Sequence, residues 1–149
     1  MSSMARKRAR TKTSKINRAT AVSPSLLERY CRGLETWPRS WMGWEKDLPP
    51  GEELVACFRP FLDDLVASDL SPKTIQKHVH NLWALGGEII RSLNENPSLR
   101  RKSIQELLND RIDNEGGPLI YALESEEALQ RAFDSTCRRL YRFLSQSSR

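Results

Sequence analysis

The chain is poor in cysteine and histidine and has no long apolar run. Its three cysteines, Cys31, Cys57 and Cys137, are far apart and odd in number. That pattern excludes a disulfide framework, and without a C-x-x-C pair it offers no metal-ligand spacing. A reducing, cytosol-like compartment is expected. No apolar stretch approaches the roughly 18 residues of a bilayer-crossing helix. The N-terminus lacks the apolar segment of a secretory leader. The expectation is a cytoplasmic chain with no membrane partner. The two histidines, His78 and His80, would point in roughly opposite directions on a helix. No nucleophile, base and orienting group assemble around them, and neither has helix-spaced thiols or carboxylates for a metal. Gly86-Gly87 follows no strand and has no G-x-G-x-x-G around it, so it is not a phosphate loop. These absences predict a protein that is not an enzyme, with no catalytic residue, no metal and no cofactor.

Acid is missing as well, but only locally. Residues 1 to 22 carry Arg6, Lys7, Arg8, Arg10, Lys12, Lys15 and Arg18, and the first acid is Glu28. Without those seven, the 24 basic residues fall to 17 against 19 acidic ones, so the body is net −2 while the whole chain is +5. The basic character belongs to an arm. Its polar, Ser/Thr-rich composition predicts disorder in isolation. It reads either as a solubilising tail or as a phosphate-binding arm, with Arg6, Lys7, Arg8 and Arg10 as its first contacts. A transit peptide fits less well, because no amphipathic apolar face appears. Residues 23 to 149 read as one helical domain, long enough for a real core.

What is present is helical periodicity. From Asp69 to Asn94 the chain reads as one long amphipathic helix. Ser71 is its N-cap and Pro72 takes the first position, where a missing N–H costs nothing. Ile75, Val79, Leu82, Gly86, Ile89 and Leu93 form a stripe, widened by Trp83, Leu85 and Ile90. Lys73, Lys77, His80, Ala84, Glu88 and Arg91 form the opposite face. His78 falls at the stripe's edge and reads as a core-edge histidine. Gly86 lies on the stripe, where close packing accounts for it.

Other helices are expected around this one. A first runs from about Ser25 to Gly33, with a Ser25/Glu28 capping box and Leu26, Leu27, Tyr30 and Leu34 inward. A second starts after Pro50-Gly51 and carries Leu54, Phe58, Phe61, Leu62 and Leu65, with Pro60 expected to kink it. The short Ser68-Asp69 turn makes it a packed neighbour of the long helix. Ser103 and Glu106 box another helix, to about Ile112. A last helix runs from about Glu126 to Ser145 with Ser125 as cap. Leu129, Phe133, Cys137, Leu140 and Leu144 face inward, and Asp134 and Arg138 form an i,i+4 pair. Arg138, Arg139 and Arg142 either complement the negative helix end or make a phosphate patch. Between the first two helices, Pro38, Gly43, Pro49 and Pro50 argue against a long helix. Trp37, Trp41 and Trp44 there read as an irregular lid on the core, or as stacking groups beside Arg39 and Lys46. Residues 119 to 123 read as an apolar loop. The fold class is all-α, a compact bundle of about five helices.

Leu70-Ser71-Pro72-Lys73-Thr74-Ile75, followed by Leu82 and Leu85, resembles the helix signature of the core-binding domain of tyrosine recombinases (phage integrases). Phe58, Phe61, Leu62 and Leu65 match the apolar spacing of that family's preceding helix. The resemblance covers roughly residues 52 to 93. His78 departs from it, standing where the family has an aromatic, and so does Gly86-Gly87. It implies a SAM-like helical fold that clamps DNA, and a DNA-contact role for Lys73, Thr74 and Lys77. No catalytic domain is expected to follow, and Arg138, Arg139 and Tyr141 do not stand in the context of the family's catalytic set. The expectation is a free-standing, integrase-like, non-catalytic DNA-binding protein of a mobile element. It grips double-stranded DNA through the start of the long helix, the Arg100, Arg101 and Lys102 cluster, and the arm. A recombinase or another protein is a further expected partner. The rival expectation is a protein–protein interaction module, suggested by the near-neutral body and the tryptophan cluster.

Overall fold

The computed structural model describes residues 25–120 and 126–147. The basic arm, the expected Ser125 cap and residues 121 to 123 of the expected apolar loop lie outside the described residues. The described chain forms α1 (Leu26–Tyr30), α2 (Trp37–Trp41), α3 (Leu48–Val66), α4 (Pro72–Glu95), α5 (Ile104–Arg111) and α6 (Glu127–Ser147). Short 3₁₀ turns precede α2, α3 and α5. The fold is an all-α bundle, with α2 the helix added to the expected set.

Local signals set most boundaries. Ser71 caps α4, its hydroxyl accepting the Thr74 N–H. Both expected capping boxes form, Ser25 with Glu28 and Ser103 with Glu106. The start of α3 differs from expectation: it begins at Leu48, before the two prolines. First-turn N–H groups have no intrahelical partner, so Pro49 and Pro50 sit there without loss. The helix also continues through Pro60. Pro60 and Ala56, the residue whose carbonyl it leaves unpaired, are both exposed, so water can satisfy that oxygen.

Helices α3 and α4 pack together and form the centre. Leu54, Phe58, Leu62 and Leu65 of α3 and Leu82, Leu85 and Ile89 of α4 belong to one core cluster, all essentially without exposure. Phe133, Cys137 and Leu140 of α6 close one side, and Ile104, Leu107 and Leu108 of α5 another. Each such side chain contributes about 1.5–3 kcal/mol of burial. Three residues expected to face inward lie outside: Trp83 is 38% exposed, Leu26 45% and Leu129 50%. Leu26 and Leu129 sit in the first turn of their helices, and Trp83 stands at the edge of the α4 stripe.

The tryptophans divide. Trp37 is buried, Trp41 half-buried and Trp44 exposed. Trp41 lies directly over Gly86, where any added Cβ would overlap its indole. Its Nε1 donates to the Trp83 carbonyl at 2.9 Å. The glycine on the buried stripe is thus a notch in α4 that lets the Trp41 indole of α2 pack closely, as its position on the stripe implies. No helix among the described residues is long and apolar enough to cross a membrane.

Candidate nucleic-acid interface

The N-terminal half of α4 is acid-free: from Pro72 to Gly87 there is no Asp or Glu. Lys73, Lys77 and His80 succeed one another along it, all exposed. None of the three enters an ion pair among the described residues. Thr74 sits beside them but serves the cap, its N–H donating to Ser71 Oγ and its Oγ1 accepting from that hydroxyl at 2.9 Å. Against this face lies α6. Lys73, Lys77 and His80 rim a groove of about 610 Å³ whose other wall is Ala128, Leu129 and Ala132.

A buried polar layer holds α4 against α6. His78 Nδ1 lies 2.7 Å from Thr136 Oγ1, and Asn81 Nδ2 donates to the same hydroxyl at 2.9 Å. Burial, with Arg139 nearby, lowers the His78 pKa from its ordinary value. His78 is therefore the core-edge histidine that its position implies, kept neutral and already engaged. The helical period places Thr136 only on the flank of the inward stripe of α6, and Asn81 was not singled out from the sequence. A polar residue next to a stripe is ordinary there, and only the packing shows that these two share one proton network.

The Arg100, Arg101 and Lys102 cluster does not form one open patch. Arg100 is a structural residue. Its NH2 group donates to Asp47 Oδ1 and Asn94 Oδ1, each at 2.7 Å. Asp47 is fully buried. It also accepts from the Gly43 N–H at 2.8 Å, the Trp44 N–H at 3.0 Å and Asn94 Nδ2 at 3.0 Å. Burial opposes the charge, but the hydrogen bonds from Arg100, Asn94 and the two amides outweigh it and hold Asp47 at about 2. Lys102 pairs with Asp110 at 2.7 Å. Only Arg101 of the three is exposed without an ionic partner among the described residues.

The last helix handles its cations differently from expectation too. Asp134 and Arg138 do not pair with each other. Asp134 accepts the Gly117 N–H at 3.1 Å, and Arg138 donates to the Glu115 carbonyl at 3.3 Å. Both brace the 113–120 loop against α6. Arg139 and Arg142 share a shallow depression with Asp64, so this face is not acid-free.

The thiols offer no reactive centre. Burial pushes Cys31 up to about 11 and Cys137 up to about 12, so both stay protonated and inert. Among the described residues, no three His, Cys, Asp or Glu side chains gather as a metal site.

Compared with family models, curated proteins and solved structures, the chain finds no match. The resemblance to core-binding domains rests on the residues that carry it.

Proposed function

We propose that the chain is a non-catalytic DNA-binding protein that grips duplex backbone through the N-terminal half of α4. One observation carries this reading: Lys73 and Lys77 stand exposed in the opening turns of α4, without an ion-pair partner among the described residues, in a stretch from Pro72 to Gly87 that holds no acid. Cations there are mildly unfavourable to the isolated helix. A phosphate would remove that conflict, using the lysines together with the Lys73 N–H, the first-turn amide left over once Pro72 supplies none and Thr74 and Ile75 donate to Ser71. Phosphate contacts fix position without reading sequence. Arg101 adds a further cation, and the arm, through Arg6, Lys7, Arg8 and Arg10, adds salt-sensitive affinity. An accessory role beside a recombinase of a mobile element, in a cytosol-like compartment, follows from the integrase-like resemblance and the free thiols.

The test is a salt titration of duplex binding. Lys73→Ala with Lys77→Ala should flatten the slope of log affinity against log salt by about 1.8, two phosphate contacts' worth. The change should persist after residues 1 to 22 are removed.

A second reading has its own observation. The α4–α6 groove has an apolar wall with a half-exposed Leu129 beneath its basic rim. It suits an acidic, amphipathic segment of a protein partner. Under that reading the arm-trimmed protein shows no duplex binding at low salt, and the lysine pair is silent in the titration.

A further inference from the structure

The lysine face does not stop at His80. One turn on, Trp83 remains 38% exposed although it is anchored. Its Nε1 donates to Ser40 Oγ at 2.9 Å, and Ser40 Oγ donates in turn to the Trp37 carbonyl at 2.7 Å. The indole is pinned by its N–H edge to α2 and so held in place while much of its surface stays open. The His80 ring lies 6.0 Å away at an interplanar angle of 33°. The two rings are tilted and offset, so neither covers the other. Together with Trp37, Gln76 and Val79 they line a shallow depression of about 310 Å³. Gln76 and His80 also line the lysine-rimmed groove, so the two concavities adjoin. Gln76 donates through Nε2 to the Tyr30 carbonyl at 3.1 Å. That fixes the amide, and no described residue donates to its Oε1.

We propose that this depression receives an unpaired nucleobase, so that the ligand is duplex DNA bearing a short single-stranded overhang, bulge or branch. The inference rests on the duplex reading above and names its substrate class. A pinned, half-exposed indole beside an imidazole is a stacking surface, and base stacking is tolerant of sequence because every base has a π-face. The bases of an intact duplex are stacked on each other, which leaves an unpaired one as the ring that fits. Six residues separate Lys77 from Trp83, roughly 9 Å along the helix. Even at the stacked duplex rise of about 3.4 Å per nucleotide, three nucleotides span that distance, and an unpaired strand, being more extended, needs fewer. Phosphates on Lys73 and Lys77 therefore place the next bases of the strand at the Trp83 depression. The Gln76 Oε1 supplies an acceptor for the amino edge of a base.

The experiment uses the full chain and one duplex in three forms: blunt, with a three-nucleotide overhang, and with that overhang made abasic. Fluorescence anisotropy reads affinity. The overhang should tighten binding by about tenfold, within what one stacked base supplies. The abasic overhang should lose that gain. Trp83→Ala should also lose it while keeping blunt-duplex affinity and its salt slope, and Trp83→Phe should restore most of it. If Trp83→Ala fails to fold, His80→Ala, an exposed change, should reduce the same preference. Equal affinity for blunt and overhanging duplex, or a preference that survives in the abasic form, overturns the base site and leaves the duplex reading intact. If the lysine pair affects none of the three DNAs, the duplex reading fails and the base site falls with it.

Discussion

The two halves of α4 treat positive charge in opposite ways. In the C-terminal half, Arg91 is held between Glu88 and Glu95. Just beyond it, Arg100 is held by Asp47 and Lys102 by Asp110. In the N-terminal half, Lys73 and Lys77 have no such partner among the described residues, and no acid stands between Pro72 and Gly87. By sequence the adjacent triplet Arg100-Arg101-Lys102 is the denser basic feature. In space it is largely neutralised, while two lysines four residues apart make the open face. Local density of charge is therefore a poor guide to a phosphate site. What decides is whether the fold supplies an acid opposite each cation.

The largest effect is expected from removing the acid that neutralises Arg100. Asp47→Ala leaves the Arg100 guanidinium partly buried with its charge unpaired, and it strands the Gly43 and Trp44 amides. Breaking a buried pair on one side costs about 3–5 kcal/mol. Urea denaturation should show a loss of that size, against a change within about 0.5 kcal/mol for the exposed Lys77→Ala. The acid limb gives an independent check. The folded carboxyl sits at about 2, below its ordinary 3.8. As pH falls, the unfolded chain takes up this proton first, so the contribution is complete above pH 3.8 and disappears toward pH 2. Asp47→Ala should flatten that part of the curve. Equal, small losses for Asp47→Ala and Lys77→Ala would mean that Arg100 is no more structural than the lysines.

The border between the halves is set by Gly86, and the two glycines there should respond differently. Gly86→Ala drives a methyl into the Trp41 indole. Overpacking of this kind costs about 1–3 kcal/mol, more than the roughly 1 kcal/mol that alanine returns to a helix. At Gly87 the added carbon meets Trp41 Cδ1 at 3.3 Å, a tight but adjustable contact. Gly87→Ala should be neutral or slightly stabilising by thermal melting. Because Trp41 also donates to the Trp83 carbonyl, Gly86→Ala should disturb the open face as well. A Gly87→Ala variant less stable than Gly86→Ala would refute the notch.

These two sites mark where sequence reasoning stops. The Ser71 cap, the α4 stripe and the capping boxes at Ser25 and Ser103 were legible because each is set by residues within a turn or two. The all-α class followed from the same periodicity. The link between Asp47 and Arg100 spans 53 residues, and no local rule marks it. Asp47 stands just before Leu48-Pro49-Pro50, where it resembles a helix cap, yet its carboxylate turns back to the Gly43 and Trp44 amides. Gly86 was readable as a buried position but not as the seat of Trp41. Leu129 has the right spacing for the core and misses it because α6 begins beyond the bundle. Of the candidate site, the exposure of Lys73 and Lys77 was legible from the helix period. The partners of Arg100 and Lys102, and the anchoring of Trp83 by Ser40, were not.

The smallest change in stability is expected at Lys73, where stability and binding should move in opposite directions. Lys73 is the second residue of α4 and faces the positive end of the dipole. Lys73→Glu places an anion where the helix favours one. A gain of about 0.3–1 kcal/mol follows from that change alone. The exposed Asp69, just before the cap, repels the new carboxylate and moves the gain toward the low end. Duplex binding should fall, since one phosphate contact is lost and a repulsion is added. The salt slope should drop by about 0.9, half the change of the double lysine variant. A protein that becomes more stable as it loses its ligand is the signature of a residue placed for binding rather than for folding. If Lys73→Glu destabilises the chain, the lysine supports the fold and this half of α4 is not open. If it stabilises the chain and leaves duplex affinity unchanged, the face does not meet phosphate, and the groove beside Leu129 becomes the site to pursue.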